Sequence, residues 1–241
     1  MDHLKPYIQL LLPGHCYKTF LVDFNFFDEA CIKIFISKVL GYSIILGSIL
    51  VKLPQILKIL AAKSGAGLSM PSLLLEQVAL TATCAYGIDV QFPFSVFGDA
   101  AFLMLQTAII AAMVLIFSNQ AILAIIYLTI HSGICWYLFS GLAPSDLIWG
   151  LQSSGAIVLI ASKMMQVYEN YKNGSTGQLS AITVILISLG SAAKIFTVVQ
   201  ETEDMTFLVT VSIALACNVI ILAQLIAYWN VDSVDKKKKV A

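Results

Sequence analysis

Arginine is absent from the chain, because all fourteen basic residues are lysines. The planar guanidinium group, which clamps phosphate through two parallel hydrogen bonds, is therefore excluded from any mechanism. Charge of either sign is also scarce: charged residues make up 12% of the 241 residues, against about 25% in a typical soluble domain. Hydrophobic residues make up 59%. This composition predicts an integral membrane protein.

Several function classes lack the residue patterns that they need. The only dense run of basic charge is Lys236 to Lys239, so nucleic-acid binding is not expected. No G-x-S-x-G, HExxH or P-loop pattern occurs, and no nucleophile can be paired with a base. We interpret the acidic stretch QETED, residues 200–204, as a solvated loop. The sequence predicts no catalytic residues and no cofactor, and hence a protein that is not an enzyme.

The five cysteines form no CxxC motif and no Cys/His grouping at metal-ligand spacing, so no metal site is expected. Cys84, Cys135 and Cys217 lie in apolar stretches and are interpreted as packing residues. Cys16 and Cys31 would pair only if the N-terminus faces an oxidising lumen, and the sequence leaves that open. His131 is likewise expected to be a packing residue rather than a proton carrier.

Seven stretches are long and apolar enough to cross a bilayer, for which about 20 mainly apolar residues are needed. We therefore predict an all-α membrane protein with seven transmembrane helices. Residues 1–35 are interpreted as a luminal or interfacial segment, and residues 231–241 as a cytosolic lysine-rich tail. The predicted spans are 36–57, 70–89, 98–117, 120–140, 146–168, 179–199 and 206–229.

The chain contains an internal repeat. The interval that separates Lys52 from Lys163 also relates further polar residues on either side, without gaps. The repeat predicts three helices in residues 36–117, a linking helix in 118–145 and three helices in 146–230. Because the linking helix restores the chain direction, the two triplets are parallel repeats. The polar matches after the lysines are Gln55 with Gln166, Ser64 with Ser175 and Ser69 with Ser180.

The predicted loops differ in charge between the two membrane faces. By the positive-inside rule the lysine-rich face is cytosolic. We therefore predict a luminal N-terminus and a cytosolic C-terminus. The lysine-rich face holds Lys58, Lys63, Lys172 and Lys236 to Lys239, and the opposite face holds Asp89, Asp146, Glu201, Glu203 and Asp204.

Pro54 and Gln55 end an apolar stretch and precede a Lys-Ser-x-x-Gly-Leu-Ser loop, and the pattern recurs in the second repeat. This arrangement resembles the PQ-loop family, which includes SWEET sugar transporters, lysosomal cystine transporters and KDEL receptors. In the second copy Met165 stands where Pro54 stands in the first. The stretches FPFSVFGDAAFLMLQT and NGSTGQLSAITVILISLGSAAKIFTVVQET are more closely similar to the mannose-P-dolichol utilization defect 1 family.

The closer resemblance implies an endoplasmic-reticulum membrane protein that is required for the use of dolichol-phosphate mannose and dolichol-phosphate glucose. Its function would be to bind or translocate these lipid-linked monosaccharides, with endoplasmic-reticulum glycosyltransferases as further partners. Lys238 and Lys239, fourth and third from the end of the chain, resemble a dilysine retrieval signal. The alternatives are a presenting factor that binds these lipids or transferases without moving lipid, and a SWEET-like transporter of soluble metabolites. A KDEL-type receptor is disfavoured because arginine, the expected reader of a carboxylate, is absent.

The repeated motif supplies the candidate site residues. Pro54 is either a hinge or a proline that ends the first helix. Gln55 and Gln166 share a helical face with the lysines three residues before them, and they either bind ligand or cap helix ends. Lys52 and Lys163 need a partner or a wet cavity if they lie in the membrane, although snorkelling to the interface is the alternative.

Further polar residues within the predicted spans complete the candidate set. Glu76 lies at a depth that allows it to pair with Lys52, whereas the repeat counterpart of Glu76 is Ile187. The sequence thus leaves the charge of Lys163 unneutralised, and a phosphate would neutralise it. Lys194 is predicted either to pair with Asp99 or to contact an anion. Gln106, Asn218 and Gln224 are predicted to form interhelical hydrogen bonds or, for Gln106 and Asn218, to bind ligand.

Overall fold

The computed structural model describes residues 5–65, 70–174 and 181–229, and every regular element in these ranges is an α-helix. Two short helices precede eight longer ones, as expected for an apolar chain that must satisfy its backbone hydrogen bonds internally. The helices are α1 Lys5–Leu11, α2 His15–Leu21, α3 Glu29–Val51, α4 Leu53–Ala62, α5 Met70–Asp89, α6 Phe94–Phe117, α7 Ala121–Phe139, α8 Ser145–Asn173, α9 Ala181–Glu201 and α10 Met205–Ala227.

The start of α3 differs from the predicted boundary near residue 36. The helix begins at Glu29 because the Asp28 carboxylate caps it, accepting a hydrogen bond from the Cys31 backbone N–H at 2.9 Å. The other predicted spans correspond to helices whose ends differ by a few residues, and α5 coincides with its predicted range.

The first predicted span is divided in two. α3 ends at Val51, and α4 begins at Leu53 and continues to Ala62, beyond the predicted end near residue 57. Pro54 lies in the first turn of α4, where its missing N–H costs least. Pro54 thus lies just after the end of α3, as expected of a helix-ending residue, but the chain continues as α4 instead of passing directly into the loop.

Within the residues that the structure describes, five helical segments are long and apolar enough to cross a membrane, which indicates a multi-pass membrane protein. One of them, Glu29–Ala62, comprises α3 and α4 together. The others are Phe94–Phe117, Ala121–Phe139, Val184–Glu201 and Met205–Ala227.

The chain divides into two compact units, Met1–Gly155 and Ala156–Ala241. In the first unit α6 lies at the centre and packs against α3, α4, α5 and α7. The approach of α3 to α6 is close: a Cβ atom on Gly41 would lie 2.7 Å from the Ser95 carbonyl oxygen. Only glycine fits there without a shift of the backbone. In the second unit α9 packs against α10.

A disulfide between Cys16 and Cys31 joins α2 to the first turn of α3, with the two Cα atoms 5.3 Å apart. The sequence left this pairing open. Leu12 and Phe20 are buried with the two cysteines in a small apolar cluster. The disulfide therefore fixes the N-terminal helices to the first long helix.

Candidate ligand site

Lys52 occupies the break between α3 and α4 and is buried, with 9% of its surface exposed. Its ammonium nitrogen lies 2.7 Å from Glu76 Oε2 on α5 and 2.6 Å from Thr107 Oγ1 on α6. The ion pair that the sequence allowed is thus present. Because Lys52 is buried among protein groups, the snorkelling alternative is wrong for this residue.

Gln106 completes the helix break. The Lys52 backbone N–H donates to Gln106 Oε1 at 3.2 Å, and Gln106 Nε2 donates to the carbonyl oxygens of Ser48 and Ile49 at 3.0 and 3.1 Å. The side-chain amide is thus inserted between the N–H of Lys52 and the carbonyl of Ser48, which an unbroken helix would join directly. Both ends of the amide are occupied, so Gln106 positions the break.

The residues after Lys52 are more accessible. Pro54 is exposed, and Gln55 is half-buried in the first turn of α4. Within the ranges that the structure describes, the Gln55 amide makes no hydrogen bond, so the predicted helix capping is not observed there. The side chain of Gln166, the counterpart of Gln55, lies outside the described residues.

Lys163 is the centre of the corresponding polar cluster in the second unit. The half-buried lysine donates from Nζ to Asn218 Oδ1 on α10 at 2.6 Å. Asn218, which is buried, donates from Nδ2 to Ser191 Oγ on α9 at 2.7 Å. No carboxylate in the described part of this chain forms an ion pair with Lys163. As the repeat predicts, Lys52 has a carboxylate partner, whereas Lys163 has none among the described residues.

The two lysines occupy equivalent hydrogen-bond positions. Lys52 and Thr107 are 55 residues apart, and so are Lys163 and Asn218. The counterpart of Asn218 is therefore Thr107 rather than Gln106, with which the sequence comparison nearly aligned it. α8 runs without a break from Ser145 to Asn173, consistent with Met165 in the place of Pro54.

Gln224 links α10 to α8 closer to the helix ends. Its Nε2 donates to the Val167 carbonyl oxygen at 2.8 Å, and its Oε1 accepts from Asn170 Nδ2 at 3.0 Å. Both bonds are interhelical, as predicted. Gln224 is thus a packing residue of the second unit.

The roles predicted for Lys194, Lys238 and Lys239 stay predictions. Lys194 is half-buried on α9 and Asp99 is half-buried on α6, and both of the roles proposed for Lys194 remain open to experiment. Lys238 and Lys239 lie outside the described residues. In the acidic stretch 200–204, Asp204 caps α10 by accepting a hydrogen bond from the Phe207 N–H at 2.6 Å, a structural role that the loop interpretation did not include.

Sequence reasoning missed Thr107 and a second buried cation. Lys38 is buried on α3 and donates to Ser95 Oγ on α6 at 2.9 Å. The repeat would have identified Thr107, because the interval from Lys52 to Lys163 also separates Thr107 from Asn218. No sequence pattern relates Lys38 to Ser95, because their contact depends on the close packing of α3 and α6.

The fold also brings together three residues of types that can bind a metal ion, although their spacing in the sequence did not predict it. One ligand atom each from His15, Cys16 and Cys31 lies within 4.8 Å of the others, because the disulfide joins the segments that contain them. Both sulfur atoms belong to that disulfide, so neither is available as a thiolate ligand. Cys84 and Cys217 are buried free cysteines, as expected for packing residues, and Cys135 is half-buried.

Comparison with known proteins gives two findings. The PQ loop repeat family matches residues 36–96 and 147–207, which together make up about half of the chain. The starts of the two matches are separated by the same interval as Lys52 and Lys163, which is the interval of the polar repeat. Solute carrier family 66 member 3 of Homo sapiens is 30% identical over 177 residues, which cover 73% of this chain and 86% of that protein. No solved structure matches the chain.

Proposed function

Because the chain belongs to the PQ-loop family, we propose that it is a membrane carrier for dolichol-phosphate-linked mannose and glucose. The closer similarity of its sequence to the mannose-P-dolichol utilization defect 1 family supports this choice of ligand. The proposal requires binding and movement of the lipid and no covalent step.

The observation that supports the proposal best is the unneutralised ammonium group of Lys163. A cation within a membrane span is costly unless an opposite charge accompanies it. Lys52 has the Glu76 carboxylate for this purpose, whereas the contact of Lys163 is the neutral amide of Asn218. A phosphate diester would supply the missing negative charge through a charge-assisted hydrogen bond.

The neighbours of Lys163 fit a sugar phosphate. Asn218 and Ser191 carry an amide and a hydroxyl group within one hydrogen-bonded chain. Both groups donate and accept, as recognition of sugar hydroxyl groups requires. On this proposal Lys163 binds the phosphate, Asn218 and Ser191 exchange their mutual bond for bonds to the ligand, and the polyprenyl chain stays in lipid.

The proposal includes a transmembrane arrangement. We propose that α5 and α8 cross the membrane with the five segments named above, which gives seven helices as two three-helix repeats and a linking helix. The disulfide between Cys16 and Cys31 supports a luminal N-terminus, because disulfides persist in oxidising compartments. On this arrangement Lys238 and Lys239 are cytosolic and serve endoplasmic-reticulum retrieval, and luminal glycosyltransferases are potential partners.

The break at Lys52 supplies a hinge for the carrier. α3 and α4 meet at a single residue, and Pro54 removes the donor that would otherwise bond across the break. Only the first repeat contains such a break in the described helices. Pro54 is therefore proposed as the hinge, with Gln106 as the group that holds one state of it.

The test measures transbilayer movement of a dolichol-phosphate mannose analogue in liposomes that contain the purified protein. Three samples are compared with empty liposomes: the native protein, Lys163→Gln and Lys172→Gln. Lys172 is an exposed lysine in the last turn of α8, so its variant controls for loss of charge from the same helix. Faster movement that Lys163→Gln abolishes and Lys172→Gln retains is the expected result.

Other outcomes distinguish the alternatives. Binding of the analogue without movement would identify a presenting factor. Movement that Lys163→Gln leaves unchanged would refute the proposed phosphate contact. If the protein neither binds nor moves the analogue, the dolichol-phosphate proposal is wrong.

A second candidate is a carrier of small soluble metabolites, which the similarity to a solute carrier favours. It is tested in the same liposomes by uptake of radiolabelled mannose 1-phosphate and free mannose. Uptake of either solute without movement of the lipid analogue would favour this candidate.

A further inference from the structure

An apolar cavity of about 480 Å³ lies between α5 and α7 in the first unit, with Leu151 of α8 completing its wall. Its volume falls within the range of about 300–1,000 Å³ that is typical of small-molecule sites. The cavity is distinct from the Lys52 cluster, none of whose residues lines it. Neither the repeat nor the proposed carrier function uses it.

Seven of the eleven described residues in the cavity wall are aliphatic, and three of the other four are adjacent to one another. Gln77 Nε2 lies 2.8 Å from His131 Nε2, so the amide donates to the ring nitrogen. The Tyr127 ring is stacked on the His131 ring, with centroids 6.1 Å apart. These three side chains form a single polar patch, and Thr81 is the one further polar residue among those described in the wall.

Two atoms of this patch are buried without a hydrogen-bond partner among the described residues: Gln77 Oε1 and the Tyr127 hydroxyl oxygen. Gln77 is only 3% exposed, so bulk solvent does not satisfy its carbonyl oxygen. The Thr81 hydroxyl, also in the wall, already donates to the Gln77 backbone carbonyl. A buried acceptor left unpaired is destabilising, and a ligand hydroxyl group would supply the missing hydrogen bond.

We propose that this cavity binds an uncharged lipid alcohol, a molecule with an apolar body and one hydroxyl group. The hydroxyl group donates to Gln77 Oε1 and accepts from the Tyr127 hydroxyl group, and the body fills the aliphatic part of the cavity. No lysine, aspartate or glutamate lines the wall, so a charged headgroup would find no counterion there. Because α7 is a membrane-spanning segment, such a ligand enters from the bilayer.

The test uses the full-length protein in phosphatidylcholine nanodiscs with two photoreactive probes, in separate samples. One probe is a diazirine-bearing sterol and the other a diazirine-bearing linear isoprenoid alcohol, so that the two sources of this chemistry are distinguished. Mass spectrometry locates the labelled residues. The expected result is saturable labelling of α5 and α7 by at least one probe.

Competition with unlabelled compounds tests the hydroxyl contact on the native protein. The alcohol that matches the labelling probe should displace it, and its O-methyl ether, which has no hydrogen to donate to Gln77 Oε1, should be about fivefold weaker, as expected for the loss of one hydrogen bond. Equal displacement by alcohol and ether would refute the proposed contact. Failure of both probes to label these helices saturably would refute the site.

Variants of the cavity residues provide an independent test of the site. Gln77→Leu should weaken competition by the alcohol about fivefold, and Ala82→Phe should abolish labelling by filling the cavity. Ile125→Phe, at an exposed position of α7 outside the cavity wall, is the matched control and should label normally. If Ala82→Phe does not fold, the comparison of alcohol and ether on the native protein decides the matter. Labelling that survives in a folded Ala82→Phe protein contradicts the proposal.

Discussion

At the scale of single residues, the two repeat lysines show how one position can acquire two electrostatic environments. Lys52 and Lys163 each donate to a residue 55 positions later in the chain. Only Lys52 also has a carboxylate partner, Glu76. In the first repeat a carboxylate neutralises the lysine within the protein, whereas among the described residues of the second repeat the lysine contacts a neutral amide.

The ion pair of the buried Lys52 should be strongly coupled. We expect Glu76→Gln to destabilise the protein by about 1–2 kcal/mol, because it leaves a buried ammonium group without its counterion while the Glu76 side chain itself is 43% exposed, and Lys52→Met in the same protein to recover much of that loss. A double-mutant cycle measured by unfolding in mixed detergent micelles checks this.

An exposed pair in the same chain is the control for that cycle. Glu29 and Lys33 are 2.6 Å apart on the surface of α3, and their coupling should be much weaker than that of Lys52 with Glu76, because solvent screens the two charges. Equal coupling energies for the two pairs would show that burial adds nothing to the Lys52 interaction.

Gln106 should stabilise the protein because both the oxygen and the nitrogen of its side-chain amide form hydrogen bonds. Gln106→Leu leaves the Lys52 N–H and the Ser48 carbonyl without their partner, so we expect a loss of about 2 kcal/mol in the free energy of unfolding. The control is Gln120→Leu, at an exposed position before α7, which should change it by less than about 0.5 kcal/mol. If the two variants unfold alike, the amide bridge contributes nothing.

At the scale of helices, the break between α3 and α4 is the main departure from regular structure in the first unit. Its sequence cause is Pro54, and its structural support is Gln106 on the neighbouring α6. α8, at the same position of the repeat, is continuous. The two repeats therefore differ in helix continuity as well as in charge.

Pro54→Ala should straighten the first span, because alanine restores a backbone donor at the break. Spin labels at the exposed positions Ile36 and Leu60, in a background without the free cysteines, should move apart as measured by double electron–electron resonance. Pro71→Ala, in the first turn of α5, should leave that distance unchanged. An unchanged distance in Pro54→Ala would mean that Gln106 alone maintains the break.

The disulfide should control the attachment of α2 to α3. Cys16 and Cys31 are 15 residues apart, and closing a loop of that length stabilises by about 3 kcal/mol in the chain-entropy description. We expect the Cys16→Ser/Cys31→Ser protein to exchange the amide hydrogens of α2 faster, while those of α9 are unchanged. Reductant should reproduce this in the native protein and have no effect on the variant.

At the scale of the whole molecule, the number of crossings determines which loops share a side of the membrane. Five segments meet the length and hydropathy requirements by themselves. α5 and α8 contain more polar residues, among them Glu76 and Lys163, and both of these side chains have protein partners on neighbouring helices. Internal pairing lowers the cost of placing such groups in a bilayer, which is consistent with the proposed seven crossings.

Glycosylation mapping tests this arrangement. Acceptor cassettes placed in loops 90–93 and 202–204 should be glycosylated in microsomes: with a luminal N-terminus the first loop is luminal only if α5 crosses the membrane, and the second is then luminal only if α8 also crosses. A cassette between residues 117 and 121 should not be modified, and it serves as the control. Modification of the control, or absence of modification in both other loops, would contradict the seven-helix arrangement.

Much of the fold was predictable because membrane spans and repeats are properties of composition and spacing. Long apolar stretches require helices, since nothing else satisfies the backbone in lipid, and the constant interval between matching polar residues identified both PQ-loop repeats. The ion pair of Lys52 with Glu76 could be anticipated because the two residues lie at equal depth on adjacent predicted helices. The helical continuation after Pro54 could not be predicted from the sequence, because proline both ends helices and begins them.

The sequence by itself determined the membrane class, the helices, the repeat and the unequal neutralisation of its two lysines. The tertiary structure alone decided that Gln106 bridges the helix break, that Lys38 bonds to Ser95, and that Gln77, Tyr127 and His131 meet at one cavity. The physical reason is that spacing along one helix fixes which residues share a face. Contacts between helices depend instead on how closely the backbones approach, which here is set by packing at residues such as Gly41.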